Sequence, residues 1–401
     1  MELTLDDVCI AIVDSEHKTA PSAELGAEYA YSVGTPHIRG GRLLLGASVA
    51  VDEATYEKWT VRGVPRGGDL ILTREAPVGE VGMIPFGVKV CLRQRTVLLR
   101  PDPSKVNGKY LLYLLLAPDL QERMHSRGAG STVAHLNIKD VRALSMGRLP
   151  ALPEQEAIAE VLGALDDKIA LNEQLAGTAL DLAGSLYGRE SVEPDGWVEV
   201  ALSETAKWLS GGTPKTSEPS YWGGDIPWIS ASSLKVPWLY ESERRVTSVG
   251  ARNGTRLVPK GTVLFVVRGM SLTSEFRVGV AQREVAFGQD CKALIPHPGI
   301  DPATLFLAIK AQTANILGMV DLAGHGTGRL VTERVANLRV RLPQGSSATE
   351  FAARVGALQD RAVAATHENR TLADLRDTLL PQLLSGKLRV RDAVRAVEEV
   401  V

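Results

Sequence analysis

The chain repeats itself, and that repeat limits what it can fold into. Gly163-Ala164-Leu165 with Asp167-Lys168 returns 193 residues later as Gly356-Ala357-Leu358 with Asp360-Arg361. At the same shift Leu149-Pro150 returns as Leu342-Pro343, and Thr178, Asp181, Leu182 and Leu186 return as Thr371, Asp374, Leu375 and Leu379. Gly68, which opens Gly-Asp-Leu-Ile-Leu, returns as Gly261 of Gly-Thr-Val-Leu-Phe. With one residue of slippage, Leu136, Val141 and Leu144 return as Leu330, Val335 and Leu338. One offset that holds from end to end of a segment this long predicts two copies of one unit, not a single 401-residue domain.

Each copy changes character partway. Its first part is rich in Gly, Pro and strand-forming residues. Apolar runs at 61–72 and 257–267 read as strands, and short helices are expected near 108–124 and 302–318. This is a mixed α/β or α+β globule. The second part reads as helix. Pro153-Glu154-Gln155-Glu156 places Pro and acids in a first turn, and no Pro follows through 190. At 1.5 Å per residue, 154–190 would make a rod of roughly 55 Å.

Glu154 and Gln155 open this helix, and Ile158, Leu162, Leu165 and Ile169 form a narrow apolar stripe; all six are candidates for partner docking or for a helix seam. Phe351, Val355, Leu358, Leu372, Leu375 and Leu379 do the same over 348–384. Such seams suit helix-on-helix packing, so the two rods are expected to pair antiparallel with a globule at each end. The alternative is that each rod packs on its own globule. The expected boundaries are a globule at 1–150, a spacer helix at 151–194, a second globule at 195–343, a second spacer helix at 344–386 and a tail at 387–401.

Charge follows the same division. Residues 1–150 carry a net +1, 151–196 a net −8, 197–343 a net +5, and 344–401 balance, which together give −2. The whole-chain value argues against a nucleic-acid partner, whereas the basic second globule argues for one. Cys9, Cys91 and Cys291 are too scattered for a zinc site or disulfide framework, as expected of a reducing cytoplasm. The acidic start is unlike a signal peptide, and no apolar run is long enough for a membrane span.

Several stretches are similar to one known family. The run from Leu149 through Gln155 and on to Ile169, together with Leu375-Arg376-Asp377-Thr378-Leu379-Leu380-Pro381-Gln382-Leu383-Leu384-Ser385-Gly386, resembles the central and C-terminal regions of the specificity subunits of Type I restriction–modification systems. Ser210-Gly211-Gly212-Thr213-Pro214-Lys215, the stretch from Tyr221 to Ile229, and Gln289-Asp290-Cys291 resemble elements of that family's target recognition domains. The second copy departs from the pattern in having Leu342-Pro343-Gln344-Gly345-Ser346 where the first has its Pro-Glu-Gln run.

The resemblance implies two recognition domains, each reading one half of a split, asymmetric site in double-stranded DNA. It implies spacer helices that set the gap and dock two methyltransferase subunits, with translocase–nuclease subunits added for restriction. It also implies a chain that is not itself catalytic, with S-adenosylmethionine, ATP and Mg2+ used by the partners.

Phosphates and base edges call for Arg, Lys, amides, hydroxyls and close-approaching backbone. Lys215 and Thr216 follow a Gly-Gly turn; Lys18 lies in the corresponding stretch of the first copy; Arg39 and Arg42 flank Gly40-Gly41. Arg244, Arg245 and Arg252 fall between apolar runs, while Arg74 and Arg268 end apolar strands at nearly equivalent positions. Arg329 closes Gly324-His325-Gly326-Thr327-Gly328, a turn matched to Gly128-Ala129-Gly130-Ser131. All of these are DNA-contact candidates or solvated charges. Trp222 and Trp228 read as core rather than base-stacking residues.

Two rival readings remain. One is a self-contained DNA nuclease or modifying enzyme. Pro118-Asp119 with Asp166-Asp167-Lys168 spells a nuclease-like string, but its second half sits mid-helix, and neither a methylase motif nor a phosphate loop is found. The other is a helical scaffold with no DNA role.

Overall fold

The computed structural model describes residues 2–128, 135–193, 195–323 and 326–399. The chain divides into two compact units, Met1–Ala170 with Arg370–Val401, and Leu171–Asn369. The divisions fall inside the long helices, not at their ends, so each unit contains one globule and part of both helices.

The first unit is built on a four-stranded antiparallel sheet in the order Cys9–Asp14, Thr96–Pro101, Leu70–Arg74, Val78–Met83. The second repeats that order as Ala206–Ser210, Cys291–Pro296, Val263–Val266, Val278–Ala281, with Trp238–Leu239 added in parallel at the far edge. Gly68 and Gly261 turn into the corresponding strands at φ +90 and +86, a backbone that favours glycine, so the repeat extends to the turn chemistry. The expected strand at 61–72 is only partly a strand. Turns closed from Gly63 N–H to Thr60 O and from Asp69 N–H to Arg66 O interrupt it, and the strand runs Leu70–Arg74. The 257–267 run is two strands, Leu257–Val258 and Val263–Val266, parted by the turn at Pro259 to Gly261. The short helices stand where expected, as Gly108–Leu116 and Pro118–Gly128, then Pro302–Ala311 and Thr313–Leu317.

The long helices run Leu152–Glu190 and Gly345–Leu384. In the first unit Ile158, Leu162, Leu165 and Ile169 are buried in one core with Leu72 and Leu111 of the globule and with Leu372, Leu379 and Leu383 of the second helix; Leu375 lies at its edge. In the second unit Ala179, Ala183 and Tyr187 share a core with Phe265 and Phe306 and with Phe351, Val355 and Ala362, and Leu358 packs against it. Each seam therefore meets both its globule and the other helix. The physical reason is width: Ile158, Ala159, Val161, Leu162 and Leu165 are all buried, a broader stripe than a two-position seam. Each large side chain so buried contributes about 1.5–3 kcal/mol.

Polar pairs set direction within each unit. Asp166 bonds Arg376 at 2.7 Å in the first; in the second, Asn172 bonds Glu368 at 2.8 Å and Glu190 meets Arg354 at 2.6 Å. Within the second unit one partner number rises as the other falls, so the helices are antiparallel. Residues 387–401 were expected as a tail; instead Val390–Glu398 is a helix whose Ala393 is fully buried against the first core. Among the described residues no helix is long and apolar enough to cross a membrane.

Candidate nucleic-acid interface

In the second unit, one end of the five-stranded sheet gathers cationic and amide side chains. Ser210 ends its strand opposite Lys292, whose Nζ donates to the Ser210 hydroxyl at 2.6 Å. Next to it the central strand ends, and the amides of Val267 and Arg268 both donate to the Asp290 carbonyl, at 2.8 and 3.3 Å. Arg268 then pairs directly across from Arg329, in a three-stranded sheet completed by Val320–Ala323. Two arginines directly opposite on adjacent strands repel one another, which is costly unless an anion lies over them.

Both are exposed, and among the described residues neither forms an ion pair. Asp321 faces Arg329 across the ladder, but its carboxylate is engaged by Arg334 at 3.2 Å. Gly328 keeps the ladder close: a Cβ there would lie 2.7 Å from Leu272. Arg268 and Arg329 line an open cleft of about 630 Å³ with Gln289, Lys292 and Thr327 and with two acids, Asp290 and Glu333. Forked, ammonium, amide and hydroxyl donors are the set that reads phosphates and base edges.

The Ser210 end continues into the Gly-Gly-Thr-Pro-Lys turn. Added Cβ atoms at Gly211 and Gly212 would meet carbonyl oxygens at 2.3 and 2.1 Å, so the backbone lies hard against its neighbours. The Trp228 indole donates to Gly212 O at 3.1 Å, and the Trp222 indole donates to Lys215 O at 3.2 Å. The two rings meet edge to face at 5.4 Å, and the Arg244 guanidinium stacks 3.7 Å over Trp222. Both tryptophans brace the turn, Trp228 buried and Trp222 half-buried, and Arg244 is held on them. The turn itself presents Lys215 and Thr216 to solvent. Arg245 is exposed and paired with Glu241 at 2.8 Å.

The first unit treats the same sheet end differently. Arg74, expected to match Arg268, is 5% exposed and pairs with Asp14 at 3.0 Å. Glu75 pairs with Arg95 and His135, each at 3.3 Å. Acids at 14 and 75 neutralise the cations there, so Arg74 is a structural ion pair and not a contact residue. An exposed arginine of this unit lies in a hairpin instead. Gly40 and Gly41 have φ +54 and +88, the two left-handed residues of a type I′ turn, with Arg39 directly opposite Arg42. Arg39 is exposed, whereas Arg42 is half-buried and donates to the main-chain carbonyl of Asp166 on the long helix. Lys18 is exposed in its loop.

The docking candidates also separate. Glu154 is exposed, but Gln155 is 1% exposed. Its Oε1 accepts from the Asn107 amide at 2.9 Å, and its Nε2 donates to the Lys105 and Pro150 carbonyls at 3.3 and 2.9 Å. Gln155 is an internal clamp and not a partner contact. The apolar seam candidates, Leu358 and Leu375 included, lie in or against the cores described above.

Sequence reasoning missed Lys292 and held Gln289 and Thr327 only within longer stretches; their proximity to Arg268 arises through the fold. The one available signal was the Gln289-Asp290-Cys291 stretch. It also missed Asp166, which accepts from Tyr113 and Arg376, each at 2.7 Å. Ala129 to Ser131 and Gly324-His325 lie outside the described residues. Burial pushes the Cys9 and Cys291 thiols up to about 12 and that of Cys91 to about 11, which removes them as nucleophiles at neutral pH.

A family model described as the Type I restriction modification DNA specificity domain matches twice, over residues 2–177 and 194–361. The specificity subunit of the Escherichia coli Type I restriction enzyme EcoR124I/EcoR124II is 26% identical over 60% of this chain. The chain spans 61% of that relative's length. The Haemophilus influenzae HindI specificity subunit is 21% identical over 73% of this chain and 80% of its own length. The crystal structure of a Type I restriction–modification S subunit from M. genitalium aligns with a TM-score of 0.55 at 18% identity, covering 96% of this chain and 95% of that one, a likeness of fold.

Proposed function

The chain belongs to the Type I restriction–modification DNA specificity family, and we propose that its two globules read the two halves of a split, asymmetric sequence in double-stranded DNA. The long helices then set the unread gap and dock two methyltransferase subunits, with translocase–nuclease subunits joining for restriction. The chain performs no chemistry in this reading; S-adenosylmethionine, ATP and Mg2+ act on the partners, in the cytoplasm. The observation that carries the reading is the directly opposed pair Arg268 and Arg329, left without carboxylate partners among the described residues and set in a cleft with Gln289, Lys292 and Thr327. Unlike Arg42, which is opposed to Arg39 and bonds the Asp166 carbonyl, Arg268 and Arg329 are both exposed where an anionic ligand would relieve their repulsion.

The test is methylation mapping of genomic DNA modified by the assembled complex, with wild type beside Arg268→Ala and Arg329→Ala. The wild type should give one bipartite motif. A side chain that contacts a base edge should, when removed, weaken cognate binding by about 1–3 kcal/mol and relax one half of the motif while leaving the other intact. A side chain that contacts only phosphate should weaken all sequences alike and reduce the salt slope by about one. Methylation without any defined split motif would refute the proposal.

A further inference from the structure

The two copies differ at the start of their long helices, and the difference leaves a cleft. In the first copy the Gln155 carboxamide bonds the Asn107 N–H and the Lys105 and Pro150 carbonyls. Asn107 is the N-cap of helix Gly108–Leu116. One amide thus joins the cap of the short helix to the turn that leads into the long one.

In the second copy the surroundings are all present. Asp301 caps helix Pro302–Ala311, its carboxylate accepting from the Thr304 amide and hydroxyl at 2.8 and 2.9 Å. Pro343 ends the preceding strand, and the long helix begins at Gly345 as the first begins at Leu152. Ala348 stands where Gln155 stands in the first copy. A cleft of about 320 Å³ occupies the place of the missing amide, and Gly299, Asp301, Pro343 and Ala348 line it. These are the positional counterparts of Lys105, Asn107, Pro150 and Gln155.

We infer that this cleft is a docking pocket for a carboxamide side chain, a glutamine carried by a protein partner. Gln155 serves as an internal stand-in that shows the group this main-chain arrangement holds. A carboxamide carries a donor and an acceptor on one planar end, whereas an ammonium lacks the acceptor and a carboxylate lacks the donor. The Asp301 carboxylate at the lip disfavours an acidic visitor as well. The first copy fills its own pocket, so a partner's glutamine enters only the second. The inference rests on the reading that the helices dock partner subunits.

The test uses the full chain with methyl-labelled isoleucine and threonine, titrated with N-acetylglutamine methylamide and, separately, with the glutamate analogue. Saturable shifts at Ile300, Thr304 and Thr349 with the glutamine probe, absent with the glutamate probe and absent in Ala348→Gln, are the expected result. No shift, equal shifts with both probes, or the same shifts in Ala348→Gln would overturn the inference and assign the cleft to water. In the assembled complex, Ala348→Gln should lower affinity for the methyltransferase subunit at least ten-fold without changing cognate DNA affinity; unchanged subunit affinity overturns the partner assignment. If the wild-type chain bound no methyltransferase subunit, the docking reading would fail by itself, and the titration would still decide the pocket.

Discussion

Replacing Arg376 with methionine tests whether a buried ion pair, and not the apolar seam alone, holds the long helices together in the first unit. The Asp166 and Arg376 side chains are 16% and 25% exposed and meet at 2.7 Å. Asp166 also accepts from the Tyr113 hydroxyl at 2.7 Å. Burial first, then the Asp166 charge, pushes the Tyr113 phenol far above its usual range, so it stays a donor at neutral pH. Arg376→Met keeps the stem's packing but leaves the carboxylate without its guanidinium, with the Tyr113 hydroxyl still donating to it.

Breaking a fully buried pair costs about 3–5 kcal/mol, and partial access of water reduces this to about 2–3 kcal/mol. In a unit of this size that lowers the melting temperature by about 4–12 °C. It should also speed hydrogen exchange of peptides from 152–170 and 370–384 by about 30- to 140-fold. A double-mutant cycle with Asp166→Asn isolates the pair, with an expected coupling of about 1.5–3 kcal/mol, that of a hydrogen bond to a charged group. A coupling below about 0.5 kcal/mol would place the pair in the class of solvated surface bridges and leave helix pairing to the seam.

Arg74→Ala should destabilise the first unit by about 3 kcal/mol, because it strands Asp14, yet leave the salt dependence of DNA binding unchanged; a smaller salt slope would return Arg74 to the contact surface. Burial raises the Tyr110 and Tyr187 phenols to about 12, and Tyr187 also donates to the Arg341 carbonyl at 2.8 Å. Their folded values exceed the unfolded value near 10, so their contribution is complete below about pH 10 and is lost as pH climbs toward 12. Thermal unfolding across that window, with phenolate absorbance, should show the loss, and Tyr187→Phe should lessen it; an identical alkaline profile for the variant would refute the assignment.

The sequence by itself determined the repeat, the two long helices and their apolar stripes, and the chemical types to look for. It could do so because helix stripes, Pro and Gly punctuation and a constant offset are local patterns, and a repeated pattern demands a repeated core. The matched glycines Gly68 and Gly261 were legible for that reason, although the runs around them were expected as unbroken strands and the turns there came only from the structure. Tertiary structure alone decided which cations are free. Arg74 and Arg268 look alike in sequence, each ending an apolar strand. Only the fold places Asp14 beside the first and Arg329 beside the second, so one becomes an internal ion pair while the other stays exposed next to a second arginine. Gln155 follows the same rule: it reads as an exposed helix-start residue until the Asn107 cap closes over its amide. Whether a charge or an amide serves the fold or a partner depends on what the rest of the chain brings within hydrogen-bonding reach, and that distance is set by the fold, not by neighbours in sequence.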